Sequence, residues 1–384
     1  MMRRHLRQIR MALLACMAAM LAGCAALAGP PSTALVYVGT QGRQLHALRF
    51  DTVTGALAPL GVVAQGLRPT WLAAHPRLPI VYGVNDDKEQ PGSVTAFALD
   101  RATGALQKIN DAASGGKGAT HLWLDQPSMT LLAAHFGDGV TSSIALRPDG
   151  GLGGVTAMRQ ASGSGPHRRQ AGPHAHGTFV DPSGRYALAS DLGADRVFVY
   201  GFDRARQALL PDAADAANVP RAFVAPPGSG PRHLVFGRDA RFVYLLNELS
   251  AELMVLQWDG QRGRLALLQT VALGSAGFTG DKSGAEIAVS QDGRFVYAAN
   301  RGENALQVYR IDPASGQLAL LQRVASGGVS PWGFAIHGSG RWMLVAHQRS
   351  ETVNVFRIDP ATGLLQDTGQ SLATPSPVSL TFVP

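Results

Sequence analysis

The chain has 384 residues, 46% of them hydrophobic and 16% charged, with a formal net charge of +7. Arg3, Arg4, Arg7 and Arg10 supply four of those positive charges within the first ten residues, with no acidic residue beside them. Without them 30 basic residues face 27 acidic ones, a balance of +3 that is no nucleic-acid footprint.

The N-terminus reads as a targeting segment. The arginines form a positive n-region, residues 11–22 an apolar h-region too short for a good membrane span, and small residues follow. Residues 21–24 (Leu-Ala-Gly-Cys) look like a bacterial lipobox, which would make Cys24 the lipidated new N-terminus. Residues 26–28 (Ala-Leu-Ala) offer a rival cleavage site. The expected organisation is a leader over 1–24, a linker over 25–34 and one folded domain over 35–384. An exported protein is expected, periplasmic or lipid-anchored at a bacterial envelope, with the lipid as its only hold on a membrane. Cys16 and Cys24 are the only cysteines. The mature chain therefore has no disulfide, cysteine ligand or cysteine nucleophile, and rests on an ordinary core.

Beyond the leader one strand pattern returns, at 35–40, 80–85, 131–135, 186–191, 243–247, 296–300 and 343–347. Its end residues are Thr40, Asn85, His135, Asp191, Asn247, Asn300 and His347, spaced 45 to 56 residues apart. A second mark is phased with it. Residues 51–57, 100–106, 312–318 and 359–365 each open on Asp, carry Gly at the fifth position and end on Leu. Residues 203–209 and 259–265 keep that spacing, and 147–152 is a shortened copy. Asp opens such hairpin turns and Gly takes the positive-φ position. Alternating segments such as 93–99 lie between the marks. Each unit thus reads as four short antiparallel strands, and seven such units predict an all-β, seven-bladed β-propeller. The WD40 marks are absent. Residues 377–383 form an inner-strand pattern with no blade after it. They are expected to pair beside 35–40 and close the ring, removing an open sheet edge.

Inner strands line a propeller's channel. Fifteen residues before each end residue stand Thr70, Thr120, His176, Arg232, Ala285 and Trp332, so His176 and Arg232 are equivalent on adjacent blades. His174, two residues earlier, shares the face of His176 if the strand is already extended there. One position after the end residues come Asp86, Phe136, Leu192, Glu248, Arg301 and Gln348. A wet, polar channel lining is the plain reading of such residues. The concentration of His176, Arg232, Glu248 and Arg301 in blades four to six points instead to an anionic or carbonyl-bearing ligand. The basic run of His167, Arg168 and Arg169 reads as a solvated loop.

The stretches 169–176, 191–195, 230–234, 247–249, 285–287 and 290–302 ("SQDGRFVYAANRG") resemble the β-propeller lactonase family, which includes the propeller-type 6-phosphogluconolactonases and the fungal carboxy-cis,cis-muconate cyclases. The resemblance implies a lactonase whose catalytic residues are His176 (or His174), Arg232, Glu248 and Arg301, facing a common cleft. Substrate contacts are expected from His174, His233, Asp191, Asn247, Glu286 and Asn300. Neither a metal nor another cofactor is required, the partner is a small-molecule lactone, and a monomer is expected. Opening a lactone needs an attacking water, which Glu248 or His176 could activate. Arg232 and Arg301 suit the developing oxyanion or an anionic substituent.

His135 and His347 stand where the family has Asn, Trp332 replaces a smaller polar residue, and residues 134–138 depart from the blade-three pattern. Export also separates the protein from phosphorylated cytoplasmic lactones, which makes a non-phosphorylated sugar lactone an equal expectation. A metal site at His167, His174 and His176 lacks a completing ligand. No Gly-x-Ser-x-Gly elbow is present. The serious rival is a non-catalytic, envelope-tethered propeller used as a binding or scaffold module, which would not need His176, Arg232, Glu248 and Arg301 to converge.

Overall fold

The computed structural model describes residues 32–88, 90–211 and 221–383. The expected leader, Cys24 and most of the expected linker lie outside them. The chain forms seven antiparallel sheets arranged as consecutive blades. Blade one takes its inner strand from the far end of the chain: Pro377–Phe382 pairs antiparallel with Thr33–Thr40, matching Val38 to Leu380. The first strand begins at Thr33, two residues before the expected start, because Thr33 already pairs with Asp51.

Burial follows position within a blade. The second strand is shielded on both faces, as in Phe242–Asn247 and Phe295–Asn300, where every residue is buried. Such strands read as continuous apolar runs for that reason. The cores lie between blades. Tyr244 and Leu246 pack towards Val296 and Ala298 of blade six. Val243 and Leu245 pack towards Leu188 and Val197 of blade four. Outer strands such as Arg264–Ala272 are half exposed.

The two recurring sequence marks turn out to bind each other. In the hairpin that opens at Asp100, Oδ1 accepts the Ala102 and Thr103 amides, and Gly104 closes the turn at φ +79°. The Gly104 carbonyl then accepts the hydroxyl of Tyr37, from the second strand of the preceding blade, at 3.0 Å. Tyr82, Tyr244 and Tyr297 repeat this bond to Gly150, Gly316 and Gly363. Between blades seven and one, Trp342 takes over through its indole N–H to Thr52 O at 2.9 Å.

Blade four departs from the four-strand expectation. Its outer position is divided into Ala208–Leu209 and Ala222–Val224, both paired with Arg196–Asp203. Pro211, just past the first piece, has no N–H to continue the ladder.

The inner strands share a β-bulge. Six of them shift register by one residue against the second strand, at Val378, Thr120, His176, Arg232, Ala285 and Trp332. In blade two the bonds Asp86 N to Arg68 O and Val84 N to Trp71 O place Thr70 likewise. A bulge re-aims a side chain out of the ladder. Here it turns one residue per blade towards the upper end of the channel.

Tyr297→Phe leaves the buried Gly363 carbonyl without its donor. We expect a loss of about 1–2 kcal/mol, read as a lower urea midpoint at unchanged slope.

Candidate active site

The upper end of the channel is a cavity of about 680 Å³. All bulge residues except Ala285 line it, as do Asp86, Phe136, Glu248, Arg301 and Gln348 from the position after each end residue. Eight Lys or Arg side chains and three carboxylates face it, an excess of positive charge that favours an anion.

Glu248 is the hub. It follows the buried strand Phe242–Asn247, and its amide donates to Gly230 O at 2.7 Å. Blade six lies directly against it, with Gly284 N donating to Glu248 O at 2.9 Å. A Cβ on Gly284 would sit 2.6 Å from Asn247 O, so this approach needs glycine. Three guanidiniums meet the carboxylate. Arg169 Nη1 is 2.6 Å and Arg301 Nη2 3.0 Å from Oε1, and Arg232 Nε is 3.1 Å from Oε2. His176 Nε2 lies 3.7 Å from Oε2.

Each arginine is held in its own way. Arg232 is 3% exposed and also donates to Ala285 O. The Arg301 amide donates to Ser283 O at 2.7 Å, and its guanidinium lies 4.2 Å over the Trp332 ring. Arg169 is the accessible one, at 38%. It comes from the loop before blade four, fixed by buried Gln170, whose amide donates to Leu192 O and Asp195 Oδ1 at 2.8 and 2.7 Å.

The charges set the proton affinities. Burial pushes the Glu248 carboxyl up, but Arg301, Arg169 and Arg232 outweigh it and bring it down to about 2. Burial, reinforced by Arg232, His233 and Arg301, holds His176 well below the ordinary imidazole range. Arg232 drops to about 10 through burial and Arg301, and remains charged at neutral pH. Across the cavity Asp86 is pushed up by burial, against the pull of Lys88 and of the Thr70 hydroxyl at 3.1 Å.

The structure thus brings His176, Arg232, Glu248 and Arg301 together. It does not bring the other expected residues to the same wall. His174 precedes its strand, stacks on Phe136 at 4.6 Å and contacts Phe136 O at 2.6 Å through Nδ1. Asp191 lies under a turn, its Oδ1 accepting the His174 and Ala194 amides at 2.8 Å, with burial raising its carboxyl to about 6. Asn300 Oδ1 caps the turn through Gly302 N at 3.0 Å, and Asn247 is fully buried. None of these four lines the cavity. His233 forms part of its floor, and Glu286 faces a second chamber below of about 510 Å³.

The basic run of His167, Arg168 and Arg169 is not the solvated loop expected: all three line the cavity, and Arg169 pairs with Glu248, a role hidden because its loop has no strand period to count along. The available signals were that run of charge and the place of Arg169 beside Gln170 in a family-like stretch.

A family model described as "Lactonase, 7-bladed beta-propeller" matches residues 33–382. The chain belongs to this family. It is 31% identical over 302 residues to a 6-phosphogluconolactonase of Bacillus subtilis, spanning 78% of this chain and 83% of that protein. It is 31% identical over 301 residues to a 6-phosphogluconolactonase of Formosa agariphila, spanning 77% and 82%. Among solved structures, a periplasmic gluconolactonase of Pseudomonas aeruginosa superposes with a TM-score of 0.84 at 37% identity, over 92% of this chain and 99% of that one.

The depressed Glu248 carboxyl has a measurable consequence. Its folded value lies below the ordinary 4.5, so its contribution to stability is full above 4.5 and is lost as pH falls from there towards 2. Glu248→Gln is expected to melt lower than wild type at pH 7, with the gap in Tm narrowing below about 4.5.

Proposed function

We propose that the protein hydrolyses a sugar-type lactone in the upper cavity. The observation that carries this reading is the convergence of three guanidiniums and an imidazole on one buried carboxylate. Both oxygens of Glu248 are engaged by guanidiniums, so it fixes the arginines. His176, kept neutral by burial and the same charges, is the group left to take a proton and is the base. Water attacks the lactone carbonyl while the His176 imidazole takes its proton. Arg232 and Arg301 stabilise the oxyanion with donors already in place. Collapse breaks the ring C–O bond, and the leaving alkoxide recovers the proton from His176. The product is an open-chain hydroxy acid whose carboxylate stays among the arginines until release. Arg169, the most accessible of the three, suits an anionic substituent or this product carboxylate.

The leader pattern supports an exported enzyme, periplasmic or anchored through Cys24, as does the resemblance to a periplasmic gluconolactonase. A non-phosphorylated lactone then fits better than a cytoplasmic phosphorylated one. The same convergence favours catalysis over a tethered, non-catalytic scaffold, which has no use for four charges drawn into contact.

The test is pH-stat hydrolysis of glucono-δ-lactone and 6-phosphogluconolactone with the non-enzymatic rate subtracted. Wild type should turn over at least the first. A Glu248→Gln, Arg232→Ala double variant with an unchanged circular dichroism spectrum should lose at least about a hundredfold in kcat/KM. Equal rates for the two proteins would sink the catalytic reading.

A separate variant addresses the base. His176→Asn is expected to lower kcat by roughly 100-fold or more, with KM little changed. An unaltered kcat would move the proton transfer to another group.

A further inference from the structure

Trp71 and His233 line both the upper cavity and the chamber below it, where His121 and Glu286 join them. The Trp71 and His121 rings lie 4.4 Å apart, and His121 and His233 5.0 Å apart. From this layer a chain of contacts climbs to the hub. Glu286 Oε1 is 2.9 Å from His233 Nδ1, which is 3.2 Å from Arg232 Nη1, and Arg232 Nε is 3.1 Å from Glu248 Oε2. Glu286 is 7% and His233 2% exposed.

This chain contains a conflict. A guanidinium only donates, so Arg232 can bond Nδ1 only when that nitrogen is bare. A carboxylate only accepts, so ionised Glu286 can bond Nδ1 only when that nitrogen carries a proton. One nitrogen cannot satisfy both at once. We propose that Glu286 is a positioning residue for Arg232, acting through His233, and that its charge decides whether the guanidinium is turned up to the cavity or held down on the imidazole. With Glu286 ionised, Nδ1–H donates to it and faces the Arg232 N–H. Arg232 is then left with Ala285 O and Glu248, the arrangement the oxyanion needs. With Glu286 protonated, Nδ1 no longer has to carry a proton and becomes an acceptor shared by the carboxyl O–H and the Arg232 N–H, which draws the guanidinium down.

The groups facing Glu286 are Arg232 and His233 from blade five and His121 from blade three. At the same level blades two, four and seven present Trp71, Gly177 and Gly333, which do not titrate in this range. Both histidines are held well below the ordinary imidazole range, His121 first by burial and then by His233, and His233 first by burial and then by Arg232. Burial, opposed mainly by Arg232, lifts Glu286 to about 7, so it is the member of this layer that changes charge near neutrality.

The inference rests on hydrolysis taking place in the upper cavity. Its test is the pH profile of kcat/KM on glucono-δ-lactone between about 5.5 and 8, with the background rate subtracted, using the full chain and melting curves to check folding. Wild type should rise through a step near pH 7. Glu286→Gln should lose the step and sit roughly tenfold below the wild-type plateau, the scale of one lost hydrogen bond. His233→Asn, which keeps a polar group near Nδ1, should retain the step, and His233→Leu should abolish it. Persistence of the step in Glu286→Gln overturns the proposal. If that variant does not fold, the His233 pair decides, and a step surviving in His233→Leu overturns it. No turnover by wild type at any pH defeats the hydrolytic reading itself, whereas turnover with no step near pH 7 defeats this inference alone.

Discussion

Between Val36 and Thr40 one short ladder to Pro377–Phe382 converts a row of sheets into a ring. Blade-to-blade packing by itself leaves an apolar face at each end of such a row. Closure covers both. The otherwise exposed face of blade one meets that of blade seven, where Val36 and Val38 pack with Leu344 and Ala346. The candidate site depends on the same closure. Its parts come from the approach to blade four (Arg169), blade four (His176), blade five (Arg232, Glu248), blade six (Arg301) and blade seven (Trp332). No blade owns more than two of them, so the ring must fix every interblade distance before a single carboxylate can meet three guanidiniums.

That meeting reconciles burial with charge. Glu248 is 4% exposed and Arg232 3%, and either ion left alone at such depth would carry a severe desolvation cost. Sharing one carboxylate offsets part of that cost and leaves surplus positive charge at the cavity wall. The result is a field already oriented before any ligand enters, which is what stabilising a developing oxyanion demands. The bulge makes this possible without sacrificing the sheet. One residue per inner strand leaves the ladder, and the residues on either side return to it.

The fold was legible because its signals are local and repeated. The Asp-to-Gly turn, the apolar second strand and the orphan strand at 377–383 can each be read from a few residues, and seven partial copies support one another. The channel register was legible for a related reason: a constant offset from the end residue survives the bulge, since every blade but the first carries it at the same place in the chain and the first mirrors it at Val378. What failed to show was set by long-range contact. Arg169 reaches Glu248 across 79 residues from a loop without periodicity. His174 shares the spacing of His176 but stands before the strand begins, so period-two reasoning did not apply to it. Asp191, Asn247 and Asn300 are polar at strand ends, which suits a binding residue and a turn cap equally; only the amides that Asp191 and Asn300 accept, and the burial of Asn247 away from the cavity, tell them apart. Blade four's divided outer strand was hidden because its hairpin mark, 203–209, keeps the common spacing even with Gln207 at the glycine position.

The closing ladder also imposes an order in time. The first strand is synthesised some 340 residues before the strand that covers its inner edge. At about 5–20 residues per second, that edge waits roughly 20–70 s for its partner. During that interval the nascent chain holds an open β-edge and cannot yet hold the assembled site, whatever its first six blades have achieved. Activity is therefore a property of the finished chain, and any ribosomal product that stops short of residue 377 would be both inert and sticky.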